Sequence, residues 1–97
     1  MDFTAHPLRI GTVAEAEVTG GSLRLVVDLG AGDRRTASAN ITERYGPGDV
    51  LGRQVVVVLD PPGGEPGEVI VLAGVSPEFG AVLLQPDVPV PDGTTVV

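Results

Sequence analysis

The chain has no cysteine and no lysine. Without thiols it can form neither a disulfide framework nor a thiolate metal site. Without lysine it cannot carry a P-loop. Its only histidine, His6, lies beside Pro7 near the N-terminus and reads as a solvated residue rather than a catalytic base. With His6 set aside and no Cys, neither a serine-type triad nor a transition-metal site can be assembled. Glu15 with Glu17, or Asp60 with Glu65 and Glu68, could meet a hard cation but read more simply as solvated carboxylates. No catalysis, cofactor or metal is therefore expected. Long apolar runs are missing too: none is longer than residues 55–59. That excludes a signal peptide or spanning helix and points to a soluble, cytoplasmic chain without membrane contact. The last gap is one of charge sign. All six basic residues, every one Arg, fall in residues 1–53 beside seven acids, whereas residues 54–97 carry six acids and no base. A net charge of −7 disfavours nucleic acid as a partner unless the arginines cluster locally.

What is present is valine, glycine and proline. Ninety-seven residues make one domain, 1–97, and 14 Gly with nine Pro break the chain too often for long helices. Residues 8–18 alternate, with Ile10, Thr12, Ala14, Ala16 and Val18 on one face, and read as a strand. After a Gly20-Gly21 turn, Leu23, Leu25, Val27 and Leu29 alternate with polar neighbours, the cleanest period of two in the chain. "GAGD" at residues 30–33 turns the chain into a short polar strand at 34–39. Asn40 followed by Glu43 resembles a capping box, so residues 40–45 are expected to form a short helix that "GPGD" at 46–49 stops. Residues 54–59 form a near-continuous apolar strand, expected to be buried on both faces. A Pro- and Gly-rich loop leads to a strand at 69–73, paired with 81–84 across "GVSPEFG". The tail should be extended, its prolines confining it to an edge. Three strands, a short helix and two strands is the order of an all-β, five-stranded OB-fold Greek-key barrel with a C-terminal extension. In that fold the loop at residues 60–68 would flank the binding cleft.

One nucleotide-binding signal fails. "VVDLGAGDRR" at residues 26–35 runs from a strand into a Gly-rich turn. Arg35, however, stands where the dinucleotide pattern needs its third Gly, and no long helix follows.

"RIGTVAEAE" from Arg9, "SANITERY" from Ser38, "GRQVVVVLDPP" from Gly52, "EVIVLAG" from Glu68 and "VLLQPDVPVPDGTTV" from Val82 together resemble the tRNA-binding OB-domain family. That family includes the C-terminal domains of some methionyl-tRNA synthetases and the CsaA proteins, to which the match is nearest. The resemblance implies a homodimer that binds tRNA or other structured RNA without reading bases, with possible export-chaperone activity on polypeptide clients. It also marks departures. Leu59 replaces an asparagine usual before the Pro pair, and Gly67 replaces a serine before Glu68. The basic loop that normally follows Pro61-Pro62 is shortened to "GGEPG", and the N-terminal segment that helps some relatives to dimerise is short.

The expected RNA-binding residues are Arg34, Arg35, Ser38, Asn40, Arg44, Tyr45 and Arg53. Affinity for RNA comes largely from cations that neutralise phosphate, and the three acids of the 60–68 loop oppose it. Tyr45 is the one aromatic expected near that face, with Phe3 and Phe79 assigned to packing. The alternative is an OB module that engages a peptide or partner protein and no longer binds RNA. A symmetric dimer is expected to use residues 3–8 and 88–97.

Overall fold

In the computed structural model, residues 7–97 are described; His6, Phe3 and all but Pro7 and Leu8 of the N-terminal dimer segment lie outside them. Eight strands and one short helix follow in the order β1 (Leu8–Thr19), β2 (Ser22–Asp28), β3 (Arg34–Ala39), α1 (Pro47–Val50), β4 (Gln54–Leu59), β5 (Val69–Val71), β6 (Ala73–Ser76), β7 (Gly80–Leu83) and β8 (Thr95–Val96). The main sheet runs β3-β2-β1-β4-β5, antiparallel throughout. Its two outer strands meet where Thr36 bridges Glu68 in parallel and the Thr36 N–H donates to the Gly67 carbonyl at 3.1 Å. The sheet thereby becomes a nearly closed five-stranded barrel, the expected OB-fold.

The barrel fills with the residues that period-two alternation points inward. Leu23, Leu25 and Val27 of β2 are fully buried, and Ala37 and Ala39 of β3 and Val55 and Val57 of β4 face them in one core. Each larger aliphatic buried there stabilises the fold by about 1.5–3 kcal/mol. The β4 strand is buried less uniformly than expected, because Gln54, Val56 and Leu59 stay partly exposed.

β1 departs from simple alternation. Gly11 and Val13, not Thr12 and Ala14, are buried before the middle of the strand. The register with β2 then slips between Val13 and Glu15, leaving Ala14 unpaired, and beyond that bulge Ala16 packs against the core. One inserted residue exchanges the faces of everything after it. Val18, expected on the core face, shares the phase of Ala16 and pairs with the buried Leu23, yet near the end of the strand it is 58% exposed.

The helix is displaced from its expected place. Residues 41–45 close a single turn, with the Tyr45 N–H donating to the Ile41 carbonyl at 3.0 Å, and the helix itself spans Pro47–Val50. Proline explains the shift. It fits the first helical turn, where no N–H is needed, but pushes the preceding residue out of the helical region. Gly46 is accordingly extended (φ −94°, ψ 171°), and its N–H donates to the Asp49 carboxylate at 2.8 Å. "GPGD" starts the helix rather than stopping one.

The expected strand at 69–73 is two strands broken at Leu72. β5 pairs with β4, whereas β6 turns away to pair with β7 as a separate hairpin. Only residues 77–79 form its turn, so Val75 and Ser76 belong to the strand. The tail is extended, as its prolines require, and is held by side chains. Gln54 brackets Val90, with Nε2 donating to the carbonyl at 2.6 Å and Oε1 accepting from the N–H at 3.0 Å. The Thr12 hydroxyl donates to Asp92 at 2.6 Å, and β8 pairs with Leu8 and Arg9 of β1. Among the described residues no helix is long and apolar enough to cross a membrane.

Candidate nucleic-acid interface

Two loops frame a groove on the outer face of β2 and β3. One is the Gly20-Gly21 turn between β1 and β2, whose positive φ angles glycine tolerates. The other, residues 60–68, is folded into two turns, with the Gly64 N–H donating to Pro61 O and the Glu68 N–H to Glu65 O, both at 3.0 Å. Pro61 is buried, and the Thr36 bridge docks the loop's far end on β3. Between the loops lies a hollow of about 200 Å³ lined by Thr19, Ser22, Arg24, Thr36, Ala37, Ser38 and Glu68. OB-folds bind their ligands on this face. Four of its side chains carry hydroxyls, one is a cation and one a carboxylate. The groove is therefore rich in hydrogen-bonding groups and poor in net charge.

The seven expected residues divide into three places. Ser38 lines the groove, in register with Arg24 on β2. Asn40 is exposed just beyond β3. Arg34 and Arg35 are adjacent on a strand and so point to opposite faces. Arg34 lies outside, with nitrogens 3.8 Å from both Glu15 and Asp28. Arg35 is on the inward phase of β3 with Ala37 and Ala39, and its guanidinium meets Asp33 at 2.8 Å and Asp60 at 3.9 Å. The hydrogen bond to Asp33, helped by the charges of Asp33 and Asp60 against partial burial, raises its pKa above the usual arginine value. Its favourable interaction is fully present below the ordinary arginine pKa and is lost only as pH rises through the raised one, so Arg35 stays charged across the physiological range. It ties the start of the 60–68 loop to the end of the β2–β3 turn.

Arg44, Tyr45 and Arg53 form a third group. The Tyr45 ring is only 7% exposed and its hydroxyl accepts the Leu83 N–H at 3.1 Å, so it anchors β7 rather than offering an open stacking face. The Arg44 and Arg53 guanidiniums lie 6.0 and 5.6 Å from its centroid, within cation–π range. Arg44 also lies 5.8 Å from the ring of Phe79, which was expected to pack inside and is instead 59% exposed at the β6–β7 turn. A hollow of about 430 Å³ beside them is lined by Glu43, Arg44, Pro77, Glu78, Phe79 and Gly80.

Ion pairing separates the arginines. Arg24 meets Glu17 at 3.5 Å, and Arg34 and Arg35 are paired as above. Among the described residues Arg44 and Arg53 have no carboxylate within 4 Å. Both are exposed cations lying against aromatic rings. Arg24, Thr36 and Phe79 were absent from the expected site. The outward phase of β2 and β3 marks the first two, whereas nothing local marks the third. Among the described residues no group of three or more His, Cys, Asp or Glu could hold a metal ion.

No protein-family model matches the chain. A region of methionine–tRNA ligase from Methanothrix thermoacetophila is 44% identical over 94% of the chain, and one from Methanococcoides burtonii is 37% identical over 98%. The chain spans only 14% and 15% of the length of those two relatives. Among solved structures, the chaperone CsaA of Bacillus anthracis superposes with a TM-score of 0.87 at 40% identity, covering 99% of this chain and 94% of that one. The CsaA chaperone protein of Picrophilus torridus gives 0.82 at 25% identity, covering 99% and 95%.

Proposed function

Because the chain belongs to the CsaA family, we propose that it is a single-domain, non-catalytic cytoplasmic protein that binds tRNA or another structured RNA. The observation that carries this reading is the kinship of nearly the whole chain to a segment of methionine–tRNA ligases, enzymes whose substrate is tRNA. The hydroxyl-lined groove and the Arg44 and Arg53 guanidiniums, which have no carboxylate partner among the described residues, supply contacts suited to ribose and phosphate. The proposed contacts are Arg24, Ser38, Arg44 and Arg53, with Asn40 at the rim, Tyr45 as their support and Arg34 and Arg35 in a lesser role. The acids of the 60–68 loop limit affinity. The test is a gel-shift titration against bulk tRNA at two salt concentrations. Counterion release from about two phosphate contacts weakens binding roughly eightfold between ~50 and ~200 mM salt. Absence of any shift at the lower salt would discard RNA as the ligand.

The name chaperone attached to the relatives, together with the exposed Val75, Phe79, Leu84 and Val88, favours a second reading in which apolar polypeptide is the partner. Copurified polypeptide without an RNA shift would select it. In either case we propose a symmetric homodimer, with residues 88–97 contributing Val88 and Val97 to the contact, which light scattering at micromolar concentration would detect.

A further inference from the structure

The hollow beside Phe79 lies apart from the groove between the two barrel loops and shares no lining residue with it. Its composition is unusual for a surface that meets RNA. Arg44 and Phe79 supply a guanidinium and an open ring 5.8 Å apart, while Glu43 and Glu78 supply two carboxylates. A phosphodiester placed inside would meet both carboxylates and be repelled. An aliphatic side chain would use the ring alone and leave the two exposed carboxylates to water. A planar, neutral group bearing N–H donors uses both, because it can stack on the ring and donate to the carboxylates.

We propose that this hollow takes an unpaired guanine of a bound RNA, an inference that rests on the RNA-binding reading and adds a base-recognising subsite to it. The base stacks against Phe79 and is flanked by the Arg44 guanidinium, as unstacked bases are held on aromatic and arginine planes. Guanine offers adjacent N1–H and N2–H₂ donors on its pairing edge, a pattern that one carboxylate accepts in parallel. Adenine and uracil lack that pair of donors. The strand's phosphates then run along Arg44 and Arg53, two cations with no acidic partner among the described residues, both lying over the buried Tyr45 ring. Glu43 and Glu78, which would weaken a phosphate site, become the source of base preference.

Phe79, Glu43, Glu78 and Arg44 are all exposed, so the variants Phe79→Ala, Glu43→Gln, Glu78→Gln and Arg44→Ala should keep the barrel folded. The probes are two short adenine-rich single-stranded RNAs that differ only in one central guanosine or inosine, followed by fluorescence anisotropy at low salt. Inosine lacks the N2 amino group. The native protein should favour guanosine by about fivefold, and at least one Gln variant should abolish that preference without weakening binding of the inosine strand. Phe79→Ala should weaken both strands by roughly tenfold, within the range for loss of one base stack. Equal affinity for both strands in the native protein, or a preference that survives both Gln changes, would overturn the subsite. A second arm follows guanosine 5′-monophosphate by NMR. Shifts at the Phe79 ring and the Arg44 side chain support the site even if bulk tRNA fails to bind, in which case only the RNA reading falls. Shifts confined to Arg24, Thr36 and Glu68, with tRNA still bound, would leave the RNA reading standing and remove this one. Loss of self-association in Phe79→Ala with RNA affinity unchanged would also remove it, since Phe79 would then be a contact between copies.

Discussion

At the scale of single residues, packing and pairing decide what each side chain is free to do. Gly11 is set by packing. A Cβ there would lie 2.6 Å from Val27 Cγ1 and 2.8 Å from the Asp28 carbonyl oxygen, and the carbonyl belongs to a paired strand that cannot retreat. Gly11→Ala should therefore lower stability by about 1–3 kcal/mol, the usual range for overpacking, read as a lower urea midpoint at unchanged slope. Gly20→Ala lacks any such clash but sits at φ 57°, so its smaller cost comes from the backbone alone. The arginines differ by pairing instead. The sequence shows six alike, whereas their partners in space, Glu15 and Asp28 for Arg34 against the Tyr45 ring for Arg44 and Arg53, are set by strand register. Phe79 was illegible for a similar reason. A lone aromatic in an apolar context looks like core, and only the departure of β6 and β7 from the barrel exposes it.

At the scale of elements, the clean strands were legible because burial on one face imposes a period of two. The limits of β3 and β4 match expectation residue for residue, and the inward set of β2 is the expected one. The signals that misled were local ones overridden by a neighbour. The Asn40–Glu43 spacing lost to Pro47, and the alternation of β1 lost to a bulge that composition does not mark. The 60–68 loop borders the groove on β2 and β3, and the position of Glu68 on that groove's own lining depends on its bridge to Thr36. That placement makes a charge test specific. A carboxylate about 8 Å from a phosphate costs roughly 0.5 kcal/mol in water, or about twofold in affinity. Changing Glu68 to Gln should tighten tRNA binding by about that factor, and changing Glu65 as well should add less, since it is exposed outside the groove lining. Unchanged affinity in the double variant would mean that RNA does not cross this loop.

At the scale of the whole molecule, a protein of net charge −7 can bind a polyanion only through a local surface where cations are not already neutralised. Arg44 and Arg53 are the pair that meets this condition together. Replacing either with Ala should flatten the salt dependence of tRNA binding by about 0.7 in the log–log slope, one phosphate contact each. Replacing Arg34 or Arg35 should change the slope by much less, because their acidic partners already hold them. The reverse ranking, measured on folded variants, would move the binding face to the other end of β3.

The register of β1 also constrains how the chain can fold. β1 joins β2 through a two-residue turn, so the first three strands can associate using neighbours close in sequence. Leu8, at the start of the same strand, pairs with Val58 on one edge and Val96 on the other. Those contacts wait for nearly the whole chain, and pairings so distant in sequence slow folding. On a ribosome, where the N-terminal strands emerge first, the front half of β1 would wait with both edges unsatisfied until β4 and then the tail arrive. This interval is when an unpaired edge can join the wrong chain. The Thr12 hydroxyl that holds Asp92, together with the Gln54 amide that holds Val90, closes the interval by fastening the tail across β1 and β4.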